Sequence, residues 1–332
     1  MSNYATTPIA RLGLQIPNFT YPGVADADLF ERISQVALTA ERSGFDSVWV
    51  MDHLYQIAMI GPPENAMFEA YTLLGAIAAR TSKVRLGTMV SGVTYRNPAL
   101  LAKIVTTLDV ISCGRAVLGI GSAWNEQEHI GYGFDFYTAR ERFERLTEAV
   151  QICRAMFTEQ RPSFHGTYYR IVEALNVPRP ITPGGPPILV GGSGEKWTLR
   201  LVAERADACN LFGDVETIRH KLSVLEQHCA EVGRDPSEIT KTRLGSLLIG
   251  ATEEEAQAKL SAFAATRGIS EEQARAVATI GSPDSVAEQA QALLDAGLDG
   301  LLFNMPDAHD LEPVELAGAT LAPIFERRSI AT

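Results

Sequence analysis

The chain has 332 residues, 46% of them apolar and 21% charged, the balance of a globular protein able to bury a large core without disulfides or structural metals. Its formal net charge of −11 argues against nucleic acid or an anionic membrane surface as partner, because both require a basic face. A small anionic ligand remains compatible, since one helix N-terminus can hold a phosphate inside an acidic protein.

Short apolar runs alternate with amphipathic stretches along the chain. Leu12–Ile16 reads as a strand. A helix follows with Leu29, Ile33, Val36, Ala37 and Ala40 on one stripe, Asp26 or Asp28 placed to cap it, and Ser43–Gly44 as its stop. Ser47–Met51 is the second strand. Helix Tyr71–Ala79 leads to strand Val84–Val90, and helix Pro98–Ile111 to strand Ala116–Ile120. A long helix carries Phe143, Leu146, Val150, Cys153 and Phe157. Beyond a proline-rich tract come strand Pro187–Val190, helix Glu195–Glu204, strand Ala208–Leu211, helix Val215–Val232 and strand Thr242–Ile249. Helix Ser285–Ala296 and strand Gly300–Phe303 close the series.

Repeated βα units imply a parallel sheet, and eight of them imply an α/β fold of the (β/α)8 TIM barrel type, for which roughly 250 residues suffice. An open doubly wound sheet is the alternative. No linker divides the chain, so residues 1–332 read as a single barrel domain. Two stretches exceed a minimal barrel: insertions after strands 4 and 7, roughly residues 121–186 and 251–284. The N-terminus shows no apolar run of signal-peptide length, and no segment reaches the ~20 apolar residues of a membrane span. The expected location is therefore the cytoplasm. Cys113, Cys153, Cys209 and Cys229 form no Cys-x-x-Cys pair and read as buried, reduced thiols.

In a barrel, the C-terminal strand ends carry the chemistry. Asp52-His53 follows strand two, where an acid beside an imidazole can hold or move a proton; a solvated pair is the plain alternative. GIGSAWNEQEH follows strand four. Gly119 and Gly121 begin like a dinucleotide fingerprint, but Trp124 takes the third glycine's place. Trp124 and Asn125 read as an aromatic wall and a hydrogen-bonding amide. Glu126-x-x-His129 is half of a carboxylate metal motif with no second copy, so no metal is expected. After strand five, VGGSGEKWT reads as a glycine-rich turn running straight into a helix. Gly191, Gly192 and Gly194 would allow close backbone approach to a phosphate; a tight structural turn is the alternative. No nucleophile elbow and no zinc-binding helix is present.

Together these segments resemble the bacterial luciferase-like superfamily, and within it the deazaflavin branch that uses coenzyme F420. The resemblance runs through LGLQIP, AERSGFDSVWVMDH, YTLLGAIAARTSKVRLGTMV, YRNPALLAKIVTTLDVISCGRAVLGIGSAWNEQE, RERFERLTEAVQICRAMF, PPILVGGSGEKWTLRLVAERADACN and GLDGLLF. It implies a cofactor across the C-terminal mouth of the barrel. Asp52 would contact the deazaflavin ring, and His53 would give or take a proton at the hydride-transfer position. Met89–Val90 would form a bulge with a non-proline cis peptide behind the ring. Val190, Gly191, Gly192, Ser193 and Gly194 would hold the cofactor phosphate.

The branch follows from WVMDH: monooxygenases of the superfamily that use FMN, the alternative cofactor, tend to carry Glu-His-His there. The implied reaction is hydride transfer to or from a small organic substrate, and the implied assembly is a homodimer. Sugar-phosphate dehydrogenases of this branch carry a tryptophan soon after the histidine and a glutamate in the strand-four loop. The tract LYQIAMIGP has no tryptophan, and Glu126 is the candidate for the glutamate. These departures count against a sugar-phosphate substrate.

Overall fold

The computed structural model describes residues 8–330. Eight strands close into a parallel barrel: β1 (Leu12–Ile16), β2 (Ser47–Val50), β3 (Arg85–Thr88), β4 (Ala116–Gly121), β5 (Ile188–Gly191), β6 (Ala208–Leu211), β7 (Thr240–Ile249) and β8 (Gly300–Asn304). Each pairs with the next, and β8 returns to β1 with Leu12 opposite Leu301. Strands covered on both faces need apolar residues at consecutive positions, which is why β1, β2, β4, β6 and β8 are buried throughout.

The barrel interior has its own core of Trp49, Val117, Leu189, Ala208 and Leu302. Trp49 is fully buried, and the neighbouring strands make room for its indole. A Cβ at Gly13 would stand 2.9 Å from Trp49 Nε1, and one at Gly87 2.7 Å from its Cζ3. A larger core lies between the barrel and its helices, where Ile33, Val36 and Ala40 of α1 (Leu29–Arg42) meet Leu12, Leu14 and Val48.

The other helices are α2 (Ala70–Arg80), α3 (Pro98–Ile111), α4 (Glu126–Tyr132), α5 (Ala139–Thr158), α6 (Thr198–Arg205), α7 (Val215–Val232), α8 (Glu253–Arg267), α9 (Glu271–Val277), α10 (Pro283–Asp295) and α11 (Glu312–Ile330). The insertion after β4 holds α4, α5 and a short antiparallel pair, Phe164–His165 with Arg170–Ile171.

Several sequence expectations are corrected. Residues 251–284 contain α8, α9 and a ninth parallel strand, Ala278–Gly281, beside the outer end of β7. Its four residues are too short for a period to register. Asp26–Asp28 forms a 3-10 turn, and Asp28 makes no side-chain cap to α1. The third strand stops at Thr88 because the chain bulges at Met89–Val90 before Ser91–Gly92 pairs with β4. Cys113 is exposed in the turn before β4, while Cys153, Cys209 and Cys229 are buried.

Candidate active site

The C-terminal ends of β2, β3 and β4 meet around His53. Glu128, on the first turn of α4, has no exposed surface. Its Oε2 accepts from His53 Nδ1 at 2.8 Å and from the Tyr95 hydroxyl at 2.8 Å. Its Oε1 accepts from the backbone N–H of Leu54 and, at 3.1 Å, of Tyr55. Burial alone would raise this carboxyl, but the bonds from His53, Leu54 and Tyr55 outweigh it and hold the pKa below the ordinary glutamate value. An ionised carboxylate only accepts, so His53 Nδ1 carries a proton, and in the neutral tautomer the lone pair lies on Nε2. Trp124, a residue 54% exposed, packs edge-on to His53 with centroids 5.5 Å apart.

Asp52 is buried, and both of its oxygens accept from Arg96, at 2.6 and 3.0 Å. Arg96 also bonds Glu69, the cap of α2, and lies over the Tyr71 ring. Burial raises the Asp52 carboxyl and Arg96 draws it back; Arg96 in turn is held more firmly protonated by Asp52 against its own burial. Beneath the pair, Tyr71 Oη, Ser91 Oγ and Thr88 Oγ1 form a chain with spacings of 2.7 and 2.9 Å, ending at the Gly119 carbonyl.

The Met89–Val90 peptide is cis. Its bulge explains the glycines of β4 and β5. A Cβ at Gly119 would overlap the Thr88 carbonyl at 1.9 Å, and Cβ atoms at Gly121 and Gly191 would each meet a Val90 methyl at 2.8 Å. The incomplete dinucleotide fingerprint is thus a packing requirement of the neighbouring strand. Gln15 Nε2 donates to the Met89 carbonyl at 3.1 Å and fixes the bulge from the β1 side.

The strand-five loop lies on the far side of Val90. Val190 and Gly191 end β5, and Gly192 adopts φ +126°, a conformation side chains rarely take. Gly192 N–H donates to the Asn210 carbonyl, and Ser193 Oγ accepts from Phe212 N–H at 3.2 Å. The loop does not run straight into a helix: a turn over 195–197 intervenes, and α6 begins at Thr198.

Two readings of the strand-four loop change. Glu126 is exposed, and Glu128 is the carboxylate that reaches the histidine. His129 is fully buried; its Nδ1 donates to the Asn125 carbonyl at 2.7 Å, which leaves Nε2 to accept from the Thr94 hydroxyl at 2.7 Å. With both nitrogens engaged, His129 serves the loop's own packing. Asn125 is the residue before α4, and its side chain caps nothing.

The sequence reading did not single out Glu128, Tyr95, Arg96 or Gln15. Only the place of Tyr95 and Arg96 in the loop that follows strand three, and of Glu128 four residues after Trp124, could have marked them.

Fold and site together define a (β/α)8 barrel protein with a carboxylate-held imidazole and an apolar bulge at its mouth. The luciferase-like monooxygenase family model matches residues 11–300, and the chain belongs to that family. Among curated relatives, the F420-dependent glucose-6-phosphate dehydrogenase of Segniliparus rotundus is 32% identical, over 90% of this chain and 96% of its own. The enzyme of the same name from Nocardia farcinica is 30% identical over the same shares. Similar solved structures include an F420-dependent secondary alcohol dehydrogenase in complex with an F420-acetone adduct, with TM-score 0.79 and 19% identity over 95% of this chain and 99% of that one. The F420-dependent tetrahydromethanopterin reductase of Methanopyrus kandleri has TM-score 0.77 and 19% identity over the same shares. These structural likenesses show the shared barrel.

Proposed function

We propose that the chain is an F420-dependent oxidoreductase that transfers a hydride between the deazaflavin and a small organic substrate. The observation that carries this reading is the His53–Glu128 pair, which leaves an imidazole nitrogen free for a substrate proton. The near full-length likeness to F420-dependent dehydrogenases supports the cofactor.

The residues present suit a planar cofactor. Val90, wedged against Gly121 and Gly191, gives a fixed apolar support. Trp124 offers an exposed aromatic edge, with Asn125 beside it. Gly192, Ser193 and Gly194 form a loop open to close approach by a phosphate. The deazaflavin, when bound, supplies a carbon centre that accepts or returns hydride without activating oxygen.

With an alcohol as substrate, His53 Nε2 would take the hydroxyl proton. Glu128 stabilises the imidazolium so formed, and the two backbone N–H groups hold Glu128 in place. The Arg96-bound Asp52 would help hold the mouth rigid for the cofactor without presenting a free carboxylate to it. We place the protein in the cytoplasm as a homodimer; among the described residues no helix is long and apolar enough to cross a membrane.

Fluorescence titration of the purified chain with F420 and with FMN decides the cofactor. Tighter binding of F420 is expected. An FMN dissociation constant tenfold lower would overturn the assignment in favour of a flavin monooxygenase.

A further inference from the structure

The glycine loop after β5 is tied at both ends, and the tie at its far end comes from α7, a helix outside the site described above. Upstream, Gly192 N–H donates to the Asn210 carbonyl and Ser193 Oγ accepts from Phe212 N–H, so this end is fixed to β6 and the residue after it. Downstream, α7 holds Glu195 by three bonds. Glu195 Oε1 accepts from Lys221 Nζ and, at 3.1 Å, from His220 Nε2. The Glu195 main-chain carbonyl accepts from His228 Nε2 at 2.9 Å. The bond from Lys221 holds the Glu195 carboxyl below the ordinary glutamate range, so it is ionised and only accepts. Two residues further on, the Trp197 ring stacks on Phe143 of α5 with centroids 5.5 Å apart.

These ties do little for the fold as a whole, because ion pairs of partly exposed side chains add little to stability. What they fix is position. Gly194 stands between the two tied ends, and glycine ranges over backbone conformations closed to other residues. Among the described residues, the backbone N–H groups of Ser193, Gly194 and Glu195 have no acceptor. Successive free donors of this kind can converge on an anion. Fixing the chain on both sides beforehand lowers the entropy lost when the anion binds. By charge alone, Glu195 is misplaced: a carboxylate next to a phosphate loop repels the anion that the loop would hold. Its place is explained if it serves as a handle whose charge Lys221 offsets.

We propose that Glu195, Lys221 and His228 are positioning residues for the cofactor loop, with α7 gripping Glu195 so that the free N–H groups of residues 193–195 meet the cofactor phosphate. The proposal rests on this loop being the phosphate site.

The test is fluorescence titration of the full chain with two deazaflavins that differ only at the end of the ribityl chain. One ends in a phosphate, the other in a hydroxyl. Wild type is expected to bind the phosphate form tenfold or more tighter. Glu195→Ala is expected to lose most of that preference, while its affinity for the hydroxyl form stays near wild type. The sign separates position from charge, because removing a carboxylate beside an anion would by electrostatics alone strengthen binding. His228→Leu cannot donate to the Glu195 carbonyl and should lose the preference too. His228→Gln can donate and should restore it. Should Glu195→Ala fold poorly, the two His228 variants decide. An unchanged or larger preference in Glu195→Ala or in His228→Leu would overturn the proposal. So would equal losses for both deazaflavins, or the same loss in His228→Gln as in His228→Leu. A wild type that binds the two forms alike would overturn the phosphate-loop reading and the proposal with it, whereas a wild-type preference that survives the variants overturns the proposal alone.

Discussion

His53 Nδ1 lies 2.8 Å from Glu128 Oε2, although the two residues are 75 positions apart in the chain. One comes from the end of β2 and the other from the first turn of α4. Their contact sets which imidazole nitrogen faces the barrel mouth, and with it the direction in which a proton can move.

Glu128→Gln tests that tautomer. The N–H groups of Leu54 and Tyr55 require an acceptor, so the amide oxygen must face them and the amide N–H₂ must face His53. The imidazole then has to accept at Nδ1 and carry its proton on Nε2, where it can no longer act as base. Turnover is expected to fall about 10²–10⁴-fold, the usual scale for lost acid–base help, while cofactor affinity changes little. ¹⁵N NMR of the His53 ring should show the proton moved to Nε2. A ring still protonated on Nδ1 would refute the argument.

The same carboxylate writes a pH dependence into stability. Its folded-state pKa lies below the ordinary value of 4.5, because the bonds it accepts outweigh its burial. A lowered carboxyl stabilises the fold fully above the unfolded-state value, and that contribution is lost as pH falls through the folded-state value. Thermal melts should show wild type exceeding Glu128→Gln by its widest margin near neutral pH, with the gap narrowing below about pH 4. A gap that widens on acidification would contradict the sign.

Gly121→Ala should displace the bulge. The added Cβ would stand 2.8 Å from Val90 Cγ2, inside contact distance. Overpacking of this kind costs about 1–3 kcal/mol, so the denaturation midpoint and the cofactor affinity should both drop. Val90→Ala in the same chain removes the clashing methyl groups and should restore most of the loss. Without that rescue, Val90 is not the obstacle.

Ser193→Asp probes the proposed phosphate loop more cleanly than a change at Gly192, whose φ of +126° penalises any side chain. The aspartate can still accept from Phe212 N–H as the serine does, but it adds a charge that repels an anion. F420 affinity should fall tenfold or more, and the affinity for a deazaflavin lacking the phosphate should stay near wild type. Equal losses for both would remove the loop from phosphate binding.

Much of this protein was legible in its sequence. The alternation of apolar runs with three-and-four spaced stripes is a local property, and it gave the eight βα units within a few residues. Where it failed, the signal was short or the geometry irregular. Ala278–Gly281 is too brief to show a period, and Val84–Val90 reads as one continuous strand across a bulge that periodicity does not register. The glycines at 119 and 121 were visible, but their purpose was not, because what crowds them is Thr88 and Val90 on another strand.

By itself the sequence determined the barrel, its two insertions and the place of Asp52-His53 at a strand end, since side-chain period and strand order are written in neighbouring residues. Tertiary structure alone decided that His53 answers to Glu128 and not Glu126, that Asp52 is bound by Arg96, and that Glu195 is bound by Lys221. The physical reason is barrel closure. It brings the ends of distant strands together at one mouth, and which carboxylate meets which cation there depends on angles and distances that no local pattern of residues encodes.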